Sequence, residues 1–418
     1  MKKRIIISIA LCAAVLAGCA PGSKTEQQTQ SSSSQTSQPV ATHEPVIEAQ
    51  AQTTAFPLTG LALSEGMAQA PRPVAVMVDN TRAAYPQWGI LDAQVIVEAI
   101  TEGGVTRLMC LYNQAADMQK TGPVRSVRDM FLQLAMPLNA VPVHIGASSF
   151  AYNFLNYYSW PTVDGMNVGV SVFDFDKERS LVRDAGGVKI GREHCWYTHG
   201  GAVQNGMTMR GISAEGTMHP FVDFEQGATP KQAAANQIAI TYSYIAQSGF
   251  VYDTASGKYL KSSYDGVAHL DANNGAQLSF DNVLLLRCET YTKPDGVHTD
   301  FNLSGGNGWW IAGGMMQPIR WEKKDDQSPL QIYDAEGNAL KLRSGKTYLG
   351  FLSGTDGESL TVDGAAMLDG SPVNPPVITP TATPSPTPVP TPEPTAVPTP
   401  APEAVPTAVP EATPAPAV

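Results

Sequence analysis

The sequence predicts an α/β N-terminal domain over residues 55–228, followed by a predominantly β C-terminal domain over residues 229–370. In the first part, apolar runs of strand length alternate with a stretch of helical periodicity, the pattern of a layered α/β unit. From about Glu225 onward the runs are short, rich in β-branched and aromatic residues, and punctuated by Gly, Asp and Asn, as hairpins are. Both ends of the chain lack such patterns. The part between them is long enough for two cores.

Residues 1–18 open with Lys2, Lys3 and Arg4 and continue as an apolar run ending in small residues, which reads as an export signal rather than a structural helix. Leu16-Ala17-Gly18-Cys19 resembles the lipobox of bacterial lipoproteins. That resemblance implies lipidation at Cys19 and a body tethered to the outer face of the bacterial cytoplasmic membrane. Residues 19–54, dominated by Gln, Ser, Thr and Ala, have too little apolar surface to offset ordering and are expected to be a flexible spacer.

"PVAVMVDN" (Pro73 to Asn80) is a nearly continuous apolar run followed by polar groups, as in a buried strand that delivers Asp79 and Asn80 to its end. "AQVIVEAI", "TRLMCLY" and "AVPVHIGAS" are further strand candidates. Between the last two, Val127, Met130 or Phe131, Leu134 and Leu138 form a helical stripe. Pro137 should end or bend that helix. In the second part, Val251 to Lys261 reads as a hairpin around "TASG". Residues 371–418 are dense in Pro and Thr, which favours polyproline II geometry over packing; the expectation is an extracellular stalk or wall-interacting segment, with a passive disordered tail as the alternative.

The formal net charge is −11. Duplex nucleic acid is therefore not an expected partner, because its binding depends on a broad cationic face. Cys110, Cys195 and Cys288, left after Cys12 and Cys19, are widely separated and odd in number, so no disulfide framework is indicated.

Several blocks in order, "RPVAVMVDNTRAAYPQWG", "EAITEGGVTRLM", "GPVRSVRD", "VPVHIGAS" and, in the second half, "YDTASGKYLKSSYDGVAHLDANNGAQLSFDNVLLL" and "LRSGKTYLGF", resemble the YerB-like lipoproteins. This family carries paired N- and C-terminal domains of unknown function. The resemblance implies an α/β first domain, a β-rich second domain and an envelope location, without an established reaction. One block departs from the family pattern: where a Pro-His-Asn element is expected after an arginine, this chain reads Arg192-Glu193-His194-Cys195. Arg183, Asp184, Arg192 and His194 are the matching positions retained.

Chemistry is expected around "GPVRSVRD". Ser126 and Asp129 have capping-box spacing, which would put Arg128 in the first helical turn, where the macrodipole disfavours a cation. A phosphate or carboxylate accepting from Ser126, Arg125 and Arg128 would resolve that conflict. Arg107, after the Gly103-Gly104 turn, would approach the same face, with Arg183, Lys189 and Arg192 as a second cationic group and His144 as a titratable donor. Asp79, Asn80, Glu98, Glu102, Asp184 and His194 are the supporting polar groups. The competing arrangement pairs the arginines internally with these carboxylates. The same carboxylates are the type of ligand that Mg²⁺ or Ca²⁺ takes, but their spacing matches no metal loop, so no metal or other cofactor is assigned.

The expected function is an envelope-tethered binding lipoprotein for an anionic wall or membrane precursor, held to the membrane through lipid at Cys19. One alternative is a structural lipoprotein contacting an envelope protein, with Trp309, Trp310 and Trp321 as candidate anchors. The other is a metal-assisted phosphoryl-transfer enzyme with Asp79 holding the metal. No nucleophile is declared, so enzymatic activity stays open and a binding or structural role is favoured. His269 and Asp271, two apart on one strand face, are read as structural.

Overall fold

The computed structural model describes residues 55–368, apart from 184–186, 217 and 355–356. Residues 1–54 and 369–418 lie outside it, and with them the expected export signal, the expected lipidation site Cys19, the expected spacer and the Pro/Thr-rich tail. The described residues form a sheet-rich molecule with few helices.

The apolar runs of the first half become strands because their side chains have a core on both faces. β1 (Val74–Asp79), β2 (Val95–Ile100) and β3 (Thr106–Tyr112) are buried throughout their length. β3 lies antiparallel between β1 and β2. β4 (Val141–His144) then runs parallel to β1, and the two-residue β5 (Val163–Asp164) runs parallel to β4. The "SVRD" segment leads into α1 (Asp129–Ala135), which stops two residues before Pro137. Val127 lies outside this helix, bridged to Ala147. Three more helices follow: α2 (Ser149–Tyr157), capped by the Ser148 side chain; α3 (Gly165–Val168), capped by Asp164; and α4 (Gly200–Met209), capped by His199. Between α3 and α4 two short strands, β6 (Asp174–Phe175) and β7 (Trp196–Tyr197), pair with each other and close the base of an exposed excursion.

The second half does not build a separate sheet for all of its strands. The strand Thr347–Leu352 is parallel to β2 on one side and to Asn282–Arg287 on the other. One sheet of 11 strands therefore runs from Gln331–Tyr333 through the second half and across β2, β3, β1 and β4 to β5. A second sheet of seven strands includes Gln237–Ser243, Ala246–Asp253, Lys258–Ser263 and Ser359–Val362. The expected hairpin is present in it, with Asp253 opposite Lys258 and Gly257 in the left-handed region.

Alternation along β1 to β3 divides the side chains between two cores. Val76, Val78, Leu108 and Cys110 share one with Ile240, Tyr242 and Phe250 of the second sheet. Met77, Val97 and Met109 share the other with Phe131 and Leu134 of α1 and with Trp310 and Trp321. The tryptophan reading is thereby settled for two of the three. Trp310 and Trp321 are buried, and their ring N–H groups donate to Asn282 Oδ1 and to the Arg287 carbonyl. Trp309 is partly buried against the first core.

Candidate functional site

β1 ends at Asp79 and is followed by Asn80; the two side chains leave in opposite directions, and each enters a different network. Asp79 is opposite Arg107 of β3 in the strand register. Its Oδ2 accepts from Arg125 Nη1 at 2.9 Å and lies 2.7 Å from His194 Nδ1, while Oδ1 accepts from the Thr81 amide at 2.9 Å. Burial alone would raise the Asp79 pKa, but the His194 hydrogen bond and the charges of Arg107 and Arg125 overcome it. They hold the carboxyl well below the usual carboxylate range. Asp79 is thus an anion at any physiological pH.

Arg107 is 4% exposed. Its Nε and Nη1 have no hydrogen-bond partner. Desolvation lowers its pKa to about 10, opposed by the nearby Asp79 charge and reinforced by those of Arg125 and Arg128. Arg128 donates from Nε and Nη2 to the two Glu102 oxygens at 2.6 and 2.9 Å, the bidentate geometry that arginine favours. Glu102 is also 3.6 Å from Nε2 of His298, whose Nδ1 pairs with Asp295. Arg125, Arg128 and His194 all keep partial solvent exposure, with the Arg125 side chain at 26%. The immediate cluster holds three guanidinium groups against the carboxylates of Asp79 and Glu102.

Several expected members stand elsewhere, each for a geometric reason. Ser126 does not cap α1. The N-cap is Arg128, without a side-chain cap bond, and Ser126 Oγ donates to the Ile145 carbonyl at 2.9 Å. Arg128 stands at the positive helix end, where Asp129 in the first turn, which accepts from Lys293 Nζ at 2.9 Å, and the Glu102 carboxylate oppose it, so protein groups answer the dipole conflict inferred for Arg128. His144 is fully buried and pairs within its own region, with Nδ1 2.8 Å from the Gly146 carbonyl and 3.6 Å from Asp164. Burial lowers its pKa despite that carboxylate. Arg183 donates to the Gly187 carbonyl and Arg192 lies over the Phe175 ring. Both are exposed, and neither forms the second cationic group expected at the pocket. Asp184 lies outside the described residues.

Asn80 and Glu98 belong to the opposite face. Glu98 Oε1 accepts from Asn80 Nδ2 and Thr106 Oγ1, and Oε2 accepts from Ser248 Oγ and Tyr348 Oη, all at 2.8–3.0 Å. Lys261 Nζ is 3.7 Å from Oε2 and donates to Ser248 Oγ at 2.8 Å. His269 continues the chain, with Nδ1 2.8 Å from Ser263 Oγ and Nε2 2.9 Å from Gln87 Oε1. Gln87 returns to Asn80 Oδ1 and the Asp79 carbonyl. This network joins the two halves and is enclosed by them.

Sequence reasoning did not anticipate Lys261, Gln87, Ser248 or Tyr348. A signal existed for Lys261: it shares a strand face with Tyr259, an unusual register position for a lysine. Asp271, read as structural, accepts the Gly89 and Leu91 amides. With Glu98 turned away, the proposed set of metal carboxylates is not gathered. Among the described residues no three His, Cys, Asp or Glu side chains come together for a metal. Two clefts lie elsewhere among the described residues: one of about 870 Å³ lined by residues including Glu225, Lys231, Trp310 and Asp334, and one of about 610 Å³ around Tyr158, His219 and Asp325.

Residues 58–213 match the N-terminal domain, and residues 238–349 the C-terminal domain, of the family described as Protein of unknown function (DUF3048). Together the matches take in more than half of the chain, which belongs to this family of paired-domain proteins. Among its relatives is the Bacillus subtilis (strain 168) protein named "Putative lipoprotein YerB", 26% identical over 73% of this chain and 88% of its own length. The crystal structure of YerB protein from Bacillus subtilis aligns with a TM-score of 0.62 at 23% identity, covering 74% of this chain and 100% of that one. That likeness establishes the fold.

Proposed function

We propose that the protein is a lipid-anchored envelope protein, held through Cys19 at the outer face of the bacterial cytoplasmic membrane, that binds a phosphate- or carboxylate-bearing wall or membrane precursor at Arg107, Arg125 and Arg128. The supporting observation is Arg107, a buried guanidinium whose Nε and Nη1 are unpartnered beside two solvent-reaching arginines. Leaving buried charged donors unpaired costs several kcal/mol (~1–3 or more per group). An anion that accepts from them recovers that cost and offsets the third guanidinium. His194 borders the cluster, with its ring orientation fixed by the Nδ1 contact to Asp79.

The phosphoryl-transfer alternative draws less support. A metal at Asp79 would have to displace Arg125, His194 and the Thr81 amide, which already use both of its oxygens. Calorimetric titration with inorganic phosphate, and with a polyprenyl phosphate in detergent micelles, tests the binding reading. Arg125→Ala and Arg128→Ala should each weaken binding at least about tenfold, the range of a lost charge-assisted hydrogen bond. Equal affinity in correctly folded variants would remove the site from consideration.

A further inference from the structure

The excursion between β6 and β7 combines two properties that the rest of this acidic chain separates. Between those strands, over residues 176–195, it carries five Lys or Arg and four Asp or Glu, a slight positive surplus in a chain of formal net charge −11. It also holds large apolar side chains out in solvent: Leu181, Val182 and Val188 are 67%, 49% and 64% exposed. Arg183, Lys189 and Arg192 are exposed around them. The excursion is built rather than loose at its base. The Asp176 amide donates to the Cys195 carbonyl, the Ile190 amide donates to the Val182 carbonyl, and Arg179 donates to the Pro86 and Ala83 carbonyls while lying over the Trp88 ring.

This element borders the arginine cluster, because its last turn supplies His194 to Asp79. On another side of the cluster, α3 and the turn after it expose Met166 and Val170. Gly146, whose carbonyl accepts the Val127 amide between the two arginines, lies close to both Ser126 and Met166. Apolar tips ringed by cations are the composition of an interfacial membrane contact, where hydrophobic side chains enter the headgroup boundary and basic ones meet anionic lipid.

We propose that Leu181, Val182 and Val188, with Arg183 and Lys189, dock the folded body onto an anionic phospholipid bilayer. The basic side chains of Arg183, Lys189 and Arg192 around exposed Leu181, Val182 and Val188 match the paired apolar and anionic layers of such a bilayer surface. The docking rests on the lipid-anchored reading only for its local concentration: covalent geometry lets Cys19 to Thr54 span up to roughly 120 Å, so a tethered body can reach the surface beside it. The surface contact itself is independent of the anion site.

The test uses the chain from residue 19 to 418 with Cys19→Ser, which carries no lipid, in sedimentation with vesicles of phosphatidylcholine alone or mixed with phosphatidylglycerol. Binding to the mixed vesicles, weakening with salt, is expected. The triple substitution Leu181→Ser, Val182→Ser, Val188→Ser and the pair Arg183→Glu, Lys189→Glu should each lower partitioning about tenfold or more. These side chains are exposed, so unchanged circular dichroism should accompany the loss. Arg125→Ala should retain vesicle binding while losing inorganic phosphate, and added phosphate should not displace the vesicles. Equal sedimentation of the loop variants and the parent, or no binding to either vesicle type, overturns the docking. Vesicle binding lost in Arg125→Ala but kept in the loop variants would overturn it too and leave the anion site standing. Self-association abolished by the triple substitution, without vesicle binding, would assign the surface to a second copy instead.

Discussion

Arg107 condenses the conflict in the cluster. It sits opposite Asp79 in the strand register, yet the Asp79 oxygens go to Arg125, His194 and the Thr81 amide. Its charge is therefore balanced through space without being hydrogen-bonded at Nε or Nη1. Removing such a group relieves desolvation, and an apolar replacement of similar length keeps the packing. Arg107→Met should leave the midpoint of urea unfolding within about 1 kcal/mol of the parent, or raise stability, while phosphate affinity falls at least about tenfold. A large loss of stability with unchanged affinity would make Arg107 a structural residue. The identity of the three arginines was legible in "EGGVTR" and "GPVRSVRD", because cations in an acidic chain stand out. Asp79 and Glu102, which pair with Arg125 and Arg128, were among the carboxylates expected for internal pairing; the choice between Asp79 and Glu98 was not legible, because it depends on strand parity at a turn. The one-residue step from Asp79 to Asn80 sends neighbours to opposite faces of the sheet.

At the scale of elements, periodicity located β1, β2, β3 and the hairpin closely because their residues are buried over their full length or alternate cleanly. It placed the start of α1 too early. The Ser126–Asp129 spacing imitated a capping box, but a hydrogen bond to Ile145 drew Ser126 into the β4 connection. Glycines show how tightly the elements meet. A Cβ on Gly350, in the strand shared by both halves, would lie 2.4 Å from the Tyr242 hydroxyl, which is fixed 2.7 Å from that of Tyr348. Although a hydroxyl terminates a side chain, this one is buried on all sides and cannot swing away. Gly350→Ala should cost about 1–3 kcal/mol by overpacking. Gly201 in α4 is the contrast: an added Cβ there meets only the His199 ring at 3.6 Å. Gly201→Ala should stabilise by about 0.5 kcal/mol through the unfolded chain's lost freedom. Paired thermal melts check both signs, and a destabilised Gly201→Ala would contradict the packing described for α4.

For the whole molecule, the decisive feature is a sheet that crosses from one half to the other, with the Glu98–Lys261–His269–Gln87 network sealed behind it. The sequence showed that Thr347 to Leu352 was apolar enough for a strand, but an apolar run carries no information about which strand it pairs with. That pairing with β2 makes the halves share their buried charges. His269 is held neutral: Nε2 faces the Gln87 carbonyl oxygen, and Nδ1 faces Ser263 and the Lys261 ammonium, with the Tyr85 ring 5.1 Å away. Burial, then the Lys261 charge, pushes its pKa well below the ordinary 6.5. As pH falls below about 6.5 the unfolded chain takes up a proton that folded His269 refuses, so stability declines, by up to about 1.4 kcal/mol per pH unit. Buried His144 acts in the same direction. His269→Gln keeps hydrogen-bonding capacity without the titration. Urea unfolding of parent and variant between pH 7 and 5 should show the parent losing up to roughly 2 kcal/mol more than the variant. Because the network spans both halves, that loss should appear in one cooperative transition. Parallel pH profiles, or an acid-induced separation into two transitions, would show that the buried network does not couple the halves.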